Sequence, residues 1–191
     1  AQELEHAVAT AATLSIKQGS GSGERRASAH TVWVTDESQL PIEGAHVLLI
    51  GADGTYVRSA TNQSGEAAFG PNTFDAMTVF VAHANFLSAG IPIAANTMRI
   101  PLSSGGDGFG SMISLRGWSA LPGLVGQVSF INDQQGRRYM CTENMSTDSR
   151  YSSPFHLQLG QPVRLQDTAG ASLSIVLKAV QGPCFLLDLA P

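Results

Sequence analysis

From residue 29 to the end of the chain, short stretches of apolar and β-branched residues alternate with turns rich in Gly, Asn and Asp. Residues 30–35 have the alternating polarity of a strand with one buried face. Ala52-Asp53-Gly54 supplies the Asp-Gly pair that tight hairpin turns favour. Short strands joined by tight turns bury their apolar faces by stacking or closing, so this pattern predicts a sandwich or a barrel. In the first half the predicted strands are 30–35, 45–50, 56–61, 66–69, 78–83 and 97–102.

Short predicted strands and turns also alternate in the second half of the chain. Residues 103–110 contain four glycines, which predicts a Gly-rich joint over 104–116 with a bridging strand at 111–116. The short strands that follow predict a small closed β-barrel over 117–191, of SH3-like or OB-like size. This part is similar to a domain that follows β-sandwiches in some bacterial proteins. Its predicted strands are 127–131, 138–142, 155–159, 162–166, 172–177 and 184–189.

The first 28 residues have a different pattern. Apolar side chains, Leu4 and Val8 among them, recur at helical spacing over residues 2–16, which predicts an amphipathic helix. Glycines and serines at 19–23 then predict a flexible linker. An isolated helix of this length is marginal in water, so we expect it to dock on the sandwich or on another subunit. The fold class predicted for the whole chain is therefore mainly β, with one N-terminal helix.

Composition excludes some functions. Lys and Arg total 11 and the formal net charge is −4, so the chain lacks the basic patch that nucleic-acid binding requires. No apolar run reaches the ~18 residues of a membrane span. Residues 1–16 do not have the pattern of an intact signal peptide. Charged residues are only 14% of the chain, against ~25% in a typical domain, which favours a surface covered by neighbours or an extracellular or cell-surface location over the cytoplasm.

Three sequence stretches resemble carboxypeptidase regulatory-like domains, which have a transthyretin-like β-sandwich. Val-Thr-Asp at 34–36 is followed by Leu-Pro-Ile-Glu-Gly-Ala-His-Val at 40–47, as at the start of these domains. Thr-Asn-Gln-Ser-Gly-Glu-Ala-Ala-Phe at 61–69 resembles their next turn and strand, and residues 79–86 resemble a late strand. The resemblance implies such a sandwich over residues 29–103. It also implies a stabilising, spacing or partner-binding role, because most of these domains are not catalytic.

The chain has two cysteines, Cys141 and Cys184, both in strand-like segments. They can be two buried free thiols, since Cys is among the most buried residue types. They can equally form one disulfide closing a loop of roughly 40 residues, worth about 3–4 kcal/mol if the geometry fits. The sequence leaves both alternatives open.

No catalytic or metal-binding motif stands out, and we predict neither a cofactor nor a metal. His30, His46 and His83 lie on neighbouring predicted strands and could converge, although roles in the core or on a strand surface are more common. Acidic residues in the turns could bind calcium, but solvated turn residues fit them better. These are Asp36, Glu37, Glu43 and Asp53.

Candidate contact residues are apolar side chains in predicted loops and on the helix. Phe86, Leu87 and Phe109 fall in predicted loops, where apolar side chains tend to mark binding surfaces. Leu4 and Val8 would form the docking face of the helix.

These observations predict a non-enzymatic structural or protein-interaction module in a larger assembly, through a protein partner or self-association. One alternative is an extracellular adhesion or carbohydrate-binding module. Another is an enzyme whose site lies between the two β domains and uses His83 or His156. A further alternative is an accessory domain of a peptidase or defence protein.

Overall fold

The computed structural model describes residues 29–71, 75–106, 110–147 and 154–190. Every regular element in these residues is a β-strand, so the prediction of a mainly β protein is confirmed. The helix included in the predicted fold class is unsupported, because the described residues contain no helix. The predicted helix, with Leu4 and Val8, lies outside the described residues, and so does Phe109.

The described residues form sixteen β-strands, which are numbered in chain order. They are β1 His30–Asp36, β2 His46–Gly51, β3 Tyr56–Ala60, β4 Glu66–Phe69, β5 Ala76–His83, β6 Phe86–Pro92, β7 Thr97–Leu102, β8 Gly110–Ser114, β9 Trp118–Ala120, β10 Gln127–Asn132, β11 Arg138–Glu143, β12 Met145–Thr147, β13 Phe155–Leu157, β14 Pro162–Asp167, β15 Ser172–Gln181 and β16 Cys184–Ala190.

Strands β1 to β7 form a two-sheet sandwich. The outer sheet has the order β4-β1-β7, in which β1 and β7 run parallel, and the inner sheet has the order β3-β2-β5-β6. Between them lies an apolar core to which Val34, Val47, Val81 and Ile100 contribute. Thr61 joins the loop before β2 to the end of β3, because its Oγ1 accepts the Ala45 N–H at 2.8 Å and donates to the Ile42 carbonyl.

Strands β8 to β16 form a second sandwich. Its inner sheet has the order β12-β14-β15-β16-β8 and its outer sheet the order β13-β11-β10-β9. The core between these two sheets includes Phe130, Met140, Leu177 and Phe185. The strands therefore make two separate layers where a single closed barrel was predicted. β8 pairs with β16 as an edge strand of this sandwich.

The two inner sheets face each other, and they are apolar on both faces. In β2, Leu49 points into the first core while Leu48 and Ile50 point towards the second sandwich. In β16, Phe185 and Leu187 point into the second core while Cys184 and Leu186 point towards the first sandwich. A strand buried on both faces is a continuous apolar run, as seen in residues 47–50 and 184–187. The molecule is thus a stack of four sheets with three apolar layers.

Polar contacts set the alignment of the two inner sheets. The β5–β6 pairing shifts register between Val81 and His83, and the Ser111 Oγ on β8 accepts the His83 N–H at 3.0 Å. Nearby, Asp188 on β16 accepts the Ser88 N–H at 2.8 Å, and Lys178 lies 3.4 Å from its other oxygen. Backbone donors buried without partners are costly, so these side chains hold the sandwiches at one relative position.

Two turns from different sandwiches touch at one end of the junction. Gly54 lies in the β2–β3 turn and Gly182 in the β15–β16 turn, with φ of +83° and +54°. A Cβ on Gly182 would come within 2.5 Å of the Gly54 Cα, so the turns approach this closely only because both residues are glycine.

We expect Gly182→Ala to lower the free energy of unfolding by about 1–3 kcal/mol more than Gly170→Ala, because the new methyl group forces the two turns apart. Gly170 is a matched control: its φ is +88°, but a Cβ there meets nothing within 4 Å. Urea unfolding of both variants measures the difference. Equal losses in the two variants would contradict the packing described for these turns.

Both cysteines are free thiols, and they lie on different sheets. Cys184 is fully buried between the inner sheets, where burial raises the pKa of its thiol to about 11. Cys141 lies on β11 in the outer sheet of the second sandwich and is only partly buried. Since the neighbouring Met140 points into the core, Cys141 points to the outer face of that sheet.

We expect a disulfide-exchange reagent at pH 8 to titrate one thiol quickly in the native protein and a second only after unfolding. The thiolate is the reactive form, and the Cys184 thiol is both inaccessible and largely protonated at that pH. The Cys141→Ser variant is predicted to lose the fast phase. If the unreduced protein, once unfolded, had no titratable thiol, the cysteines would instead be paired.

Candidate functional site

A cleft lies at the junction of the two sandwiches, and we call it the junction cleft. It has a volume of about 390 Å³ and opens to solvent on one side. One wall is the inner sheet of the first sandwich, and the other is edge strand β8 with Leu115. The lining residues are Gly44, His46, Leu48, Arg58, His83, Ala84, Ser111, Met112, Ile113 and Leu115.

Strand register explains why Arg58 and His46 share this cleft. Leu48 pairs with Arg58 and His46 pairs with Ala60, so these side chains lie on the face of β2 and β3 that is turned to the second sandwich. Both Arg58 and His46 are exposed, because the second sandwich does not cover this part of the sheet. Among the described residues no carboxylate forms an ion pair with Arg58.

His83 is held in one orientation beside them. Its Nδ1 accepts the Asn85 N–H at 3.1 Å, and the ring of Phe86 packs edge-on at 5.2 Å. Burial is the main cause that lowers the pKa of His83; the Glu43 carbonyl opposes it, and His46 adds to it. At neutral pH the ring is therefore neutral, and the bond from the Asn85 N–H holds it in one orientation. It forms part of the wall of the cleft.

The deeper part of the cleft is apolar. Leu48 is buried, and Met112, Ile113 and Leu115 are half-buried on the β8 side. Ser111 is also buried, but its hydroxyl is used by the backbone of His83, with an N–H at 3.0 Å and a carbonyl at 3.3 Å. Ser111 therefore positions β8 against β5 and has no role as a nucleophile here.

The cleft suits a small ligand with an apolar body and an anionic group. Ligand sites in proteins are concave, roughly 300–1,000 Å³ in volume and mostly apolar, with a few placed polar groups. Among the described residues of the lining, Arg58 is the one charged residue, and none of them is an Asp or a Glu. Within the described ranges, no group of three or more His, Cys, Asp or Glu could hold a metal ion.

A second groove of about 790 Å³ lies at the touching glycine turns, and its lining includes Asp53, Thr55, Arg116 and Asn132. Asp53 is turned inward to its own loop, since its oxygens accept from the N–H and Oγ1 of Thr55 at 2.9 and 2.8 Å. These bonds lower the pKa of Asp53 and occupy both of its oxygens. Arg116 and Asn132 are exposed in this groove, which is larger than the junction cleft but lies apart from the apolar wall formed by Leu48, Ile113 and Leu115.

The structure brings together some of the residues considered from sequence and separates others. Of the histidines, His46 and His83 line the junction cleft, but His30 is buried in the outer sheet of the first sandwich. His156 lies on β13, edge-on to Tyr139 at 5.6 Å, and does not line the cleft. Phe86 and Leu87 begin β6 and are half-buried, so they are strand residues and not free loop contacts.

Sequence reasoning did not identify Arg58 or the β8 residues as site residues. Arg58 lies in the predicted strand 56–61, and its position across from Leu48 gives a signal only once β2 and β3 are paired in register. Ser111, Ile113 and Leu115 carry no signal of their own, because they reach the cleft through the packing of one sandwich on the other.

Comparison with known proteins yields one weak relationship. The chain is 20% identical over 158 residues to the 3′ cyclic ADP-D-ribose synthase AaTIR of Aquimarina amphilecti. The aligned region covers 83% of this chain and 48% of that protein, so the chain spans about half the length of the curated relative that it matches. No family model matches the chain, and no solved structure matches it.

This relationship corrects the functional prediction. A relative that is an enzyme contradicts the expectation of a non-enzymatic structural or interaction module, which was wrong. The prediction failed because it was based on the resemblance of residues 29–103 to a mostly non-catalytic family, whereas the similarity to the synthase extends over most of the chain. The described residues contain no helix that is long and apolar enough to span a membrane.

We expect the stability of the protein to fall as the pH drops below about 6.5, and His83 to account for part of the loss. Its lowered pKa means that the unfolded chain binds the proton more readily. The contribution of His83 to stability is therefore fully present above its ordinary pKa of 6.5, and it is lost as the pH falls through the lowered pKa of the folded protein.

The measurement is urea unfolding of the wild type and His83→Asn between pH 8 and pH 5. The variant is predicted to have a shallower decline of unfolding free energy with pH. His156→Asn, on an exposed strand of the other sandwich, is the control and should keep the wild-type slope. Identical slopes for wild type and His83→Asn would disprove this role of His83.

Proposed function

We propose that this chain is a β-sheet portion of an enzyme that forms a cyclic ADP-ribose from an ADP-ribosyl donor. The similarity to the synthase AaTIR over 83% of the chain carries the proposal. Because the chain spans 48% of that protein, the proposal concerns a portion of such an enzyme.

The chemistry of the product sets what the enzyme must provide. A cyclic ADP-ribose contains a bond from the ribose C1 to another atom of the same nucleotide. The donor must therefore lose a group from C1, as the oxidised nicotinamide dinucleotide can lose nicotinamide. The enzyme must hold the nucleotide so that its two ends meet, because correct positioning of reacting groups accounts for much of the rate of such closures. It must also stabilise a positively charged ribosyl centre, which is commonly done by a carboxylate.

The junction cleft supports the first of these two roles for this chain. It is large enough for a small ligand, it has an apolar wall, and it presents one unpaired guanidinium. The described residues that line it include no carboxylate, so we assign the stabilisation of the ribosyl centre to groups other than these. On this view the chain holds the nucleotide while the bond at C1 is exchanged.

We also propose that residues 29–103 are a carboxypeptidase regulatory-like sandwich within that enzyme. The two-sheet arrangement of β1 to β7 supports this. So does Gly65 in the resembling turn, which has φ +75° and lies against the Val34 carbonyl and Pro41.

The test is a hybrid in which this chain replaces the matched half of AaTIR. Cyclic ADP-D-ribose formed from oxidised nicotinamide dinucleotide is measured by liquid chromatography and mass spectrometry. We expect the hybrid to form the product at least tenfold faster than AaTIR shortened by its matched half, because the chain restores nucleotide positioning.

The chain alone and a hybrid carrying Gly182→Ala serve as comparisons. The variant tests whether product formation depends on an intact sandwich junction, and a slower rate would support the proposal. If the hybrid were no faster than the shortened synthase and the chain alone formed no product, the proposed function would be wrong.

A further inference from the structure

The junction cleft combines three properties that bear on what it can bind. It is concave, it is apolar in depth, and its rim carries positive charge without a carboxylate partner among the described residues. If the contact served only to join the two sandwiches, we would expect side chains to fill the space between them here too. They fill it in the apolar layer next to the cleft, where Ile50, Phe80 and Leu186 are almost completely buried.

Arg58 defines the charge of the ligand. A guanidinium binds phosphate through a fork of parallel N–H donors, and it keeps its charge at every physiological pH. Arg58 lies on edge strand β3, so its side chain can be approached from solvent without disturbing the sheet. The overall charge of the chain is −4, and a single unpaired cation in a cleft then marks a local site for an anion.

His46 is the second polar group for that anion. It lies on β2 diagonal to Arg58 on the same face of the sheet, two residue pairs along the ladder. Its imidazole is exposed, and no hydrogen bond within the described chain occupies it. An N–H of this ring can therefore donate to an oxygen held by Arg58.

The remaining wall fits the uncharged part of a nucleotide. His83 is held by the Asn85 N–H, and Leu48, Ile113 and Leu115 form an apolar surface next to it. A planar base packs well against such a surface, because it has two apolar faces and a polar edge that can remain in solvent. Inorganic phosphate alone would leave this surface without contacts.

We propose that the junction cleft is a binding site for an adenine nucleotide with a diphosphate, of the ADP-ribose class. Arg58 and His46 bind the phosphate oxygens, and the base lies against Leu48, Ile113 and Leu115. The choice of ADP-ribose among nucleotides rests on the proposed function, whereas the anionic group and the apolar body follow from the residues of the cleft.

The test is isothermal titration of the chain with ADP-ribose, adenosine monophosphate, adenosine and inorganic phosphate at low salt. We expect ADP-ribose to bind most tightly, and adenosine and inorganic phosphate at least tenfold more weakly, because each fills only part of the site. Arg58→Gln is expected to weaken ADP-ribose binding about tenfold or more through loss of the charge-assisted bonds. His46→Gln is expected to give a smaller loss.

Arg99→Gln is the matched control, because Arg99 is also an exposed arginine on a strand but lies on β7 in the outer sheet of the first sandwich. It removes the same charge and should change ADP-ribose affinity less than twofold. Equal losses from Arg58→Gln and Arg99→Gln would show attraction by overall charge and would overturn the site. So would a chain that does not bind ADP-ribose, or one that binds inorganic phosphate as tightly as ADP-ribose.

The same variants in the hybrid synthase separate this inference from the proposed function. If the hybrid forms cyclic product and Arg58→Gln changes neither its KM nor its rate, the cleft is not the nucleotide site although the function stands. If ADP-ribose binding depends on Arg58 but the hybrid is inactive, the site stands and the proposed function fails.

Discussion

The apolar layer between the two inner sheets is the interaction on which the rest of the structure depends. Leu48, Ile50 and Phe80 from the first sandwich pack against Cys184 and Leu186 from the second, and all are almost completely buried. Fully burying side chains of this size stabilises a fold by about 1.5–3 kcal/mol each. Neither inner sheet can be exposed to water without losing this layer, so we expect the two sandwiches to be stable mainly as one unit.

This constraint also produces the candidate site. Since the two sheets are held in register by Ser111 and Asp188, β8 lies against β5, and the open face of β2 and β3 extends beside it. The cleft forms where the apolar layer ends and the exposed side chains of Arg58 and His46 begin. The contact between the inner sheets therefore produces both the packed apolar layer and, at the edge of that layer, the open cleft. Binding sites commonly lie at such contacts between domains.

Sequence patterns predicted the β class, most strand positions and several turns, because these depend on residues close in the chain. Ala52-Asp53-Gly54 is a turn with Gly54 at φ +83°, as the Asp-Gly pair indicates. The closed barrel was a wrong prediction because the same short strands can close on themselves or form two layers. Periodicity within a strand does not distinguish these outcomes, and only the pairing of the strands into two open sheets, β12-β14-β15-β16-β8 and β13-β11-β10-β9, does.

The sequence by itself determined which strands are apolar on one face and which on both, since that depends on the order of residues along each strand. Residues 79–82 and 184–187 are continuous apolar runs, and both form strands of the inner sheets. Only the tertiary structure decided that these runs face each other, and that Arg58, His46 and β8 meet at one cleft. Residue 113 is far from residues 46 and 58 in the chain, and its proximity to them follows from the packing of one sandwich on the other, which no local pattern encodes.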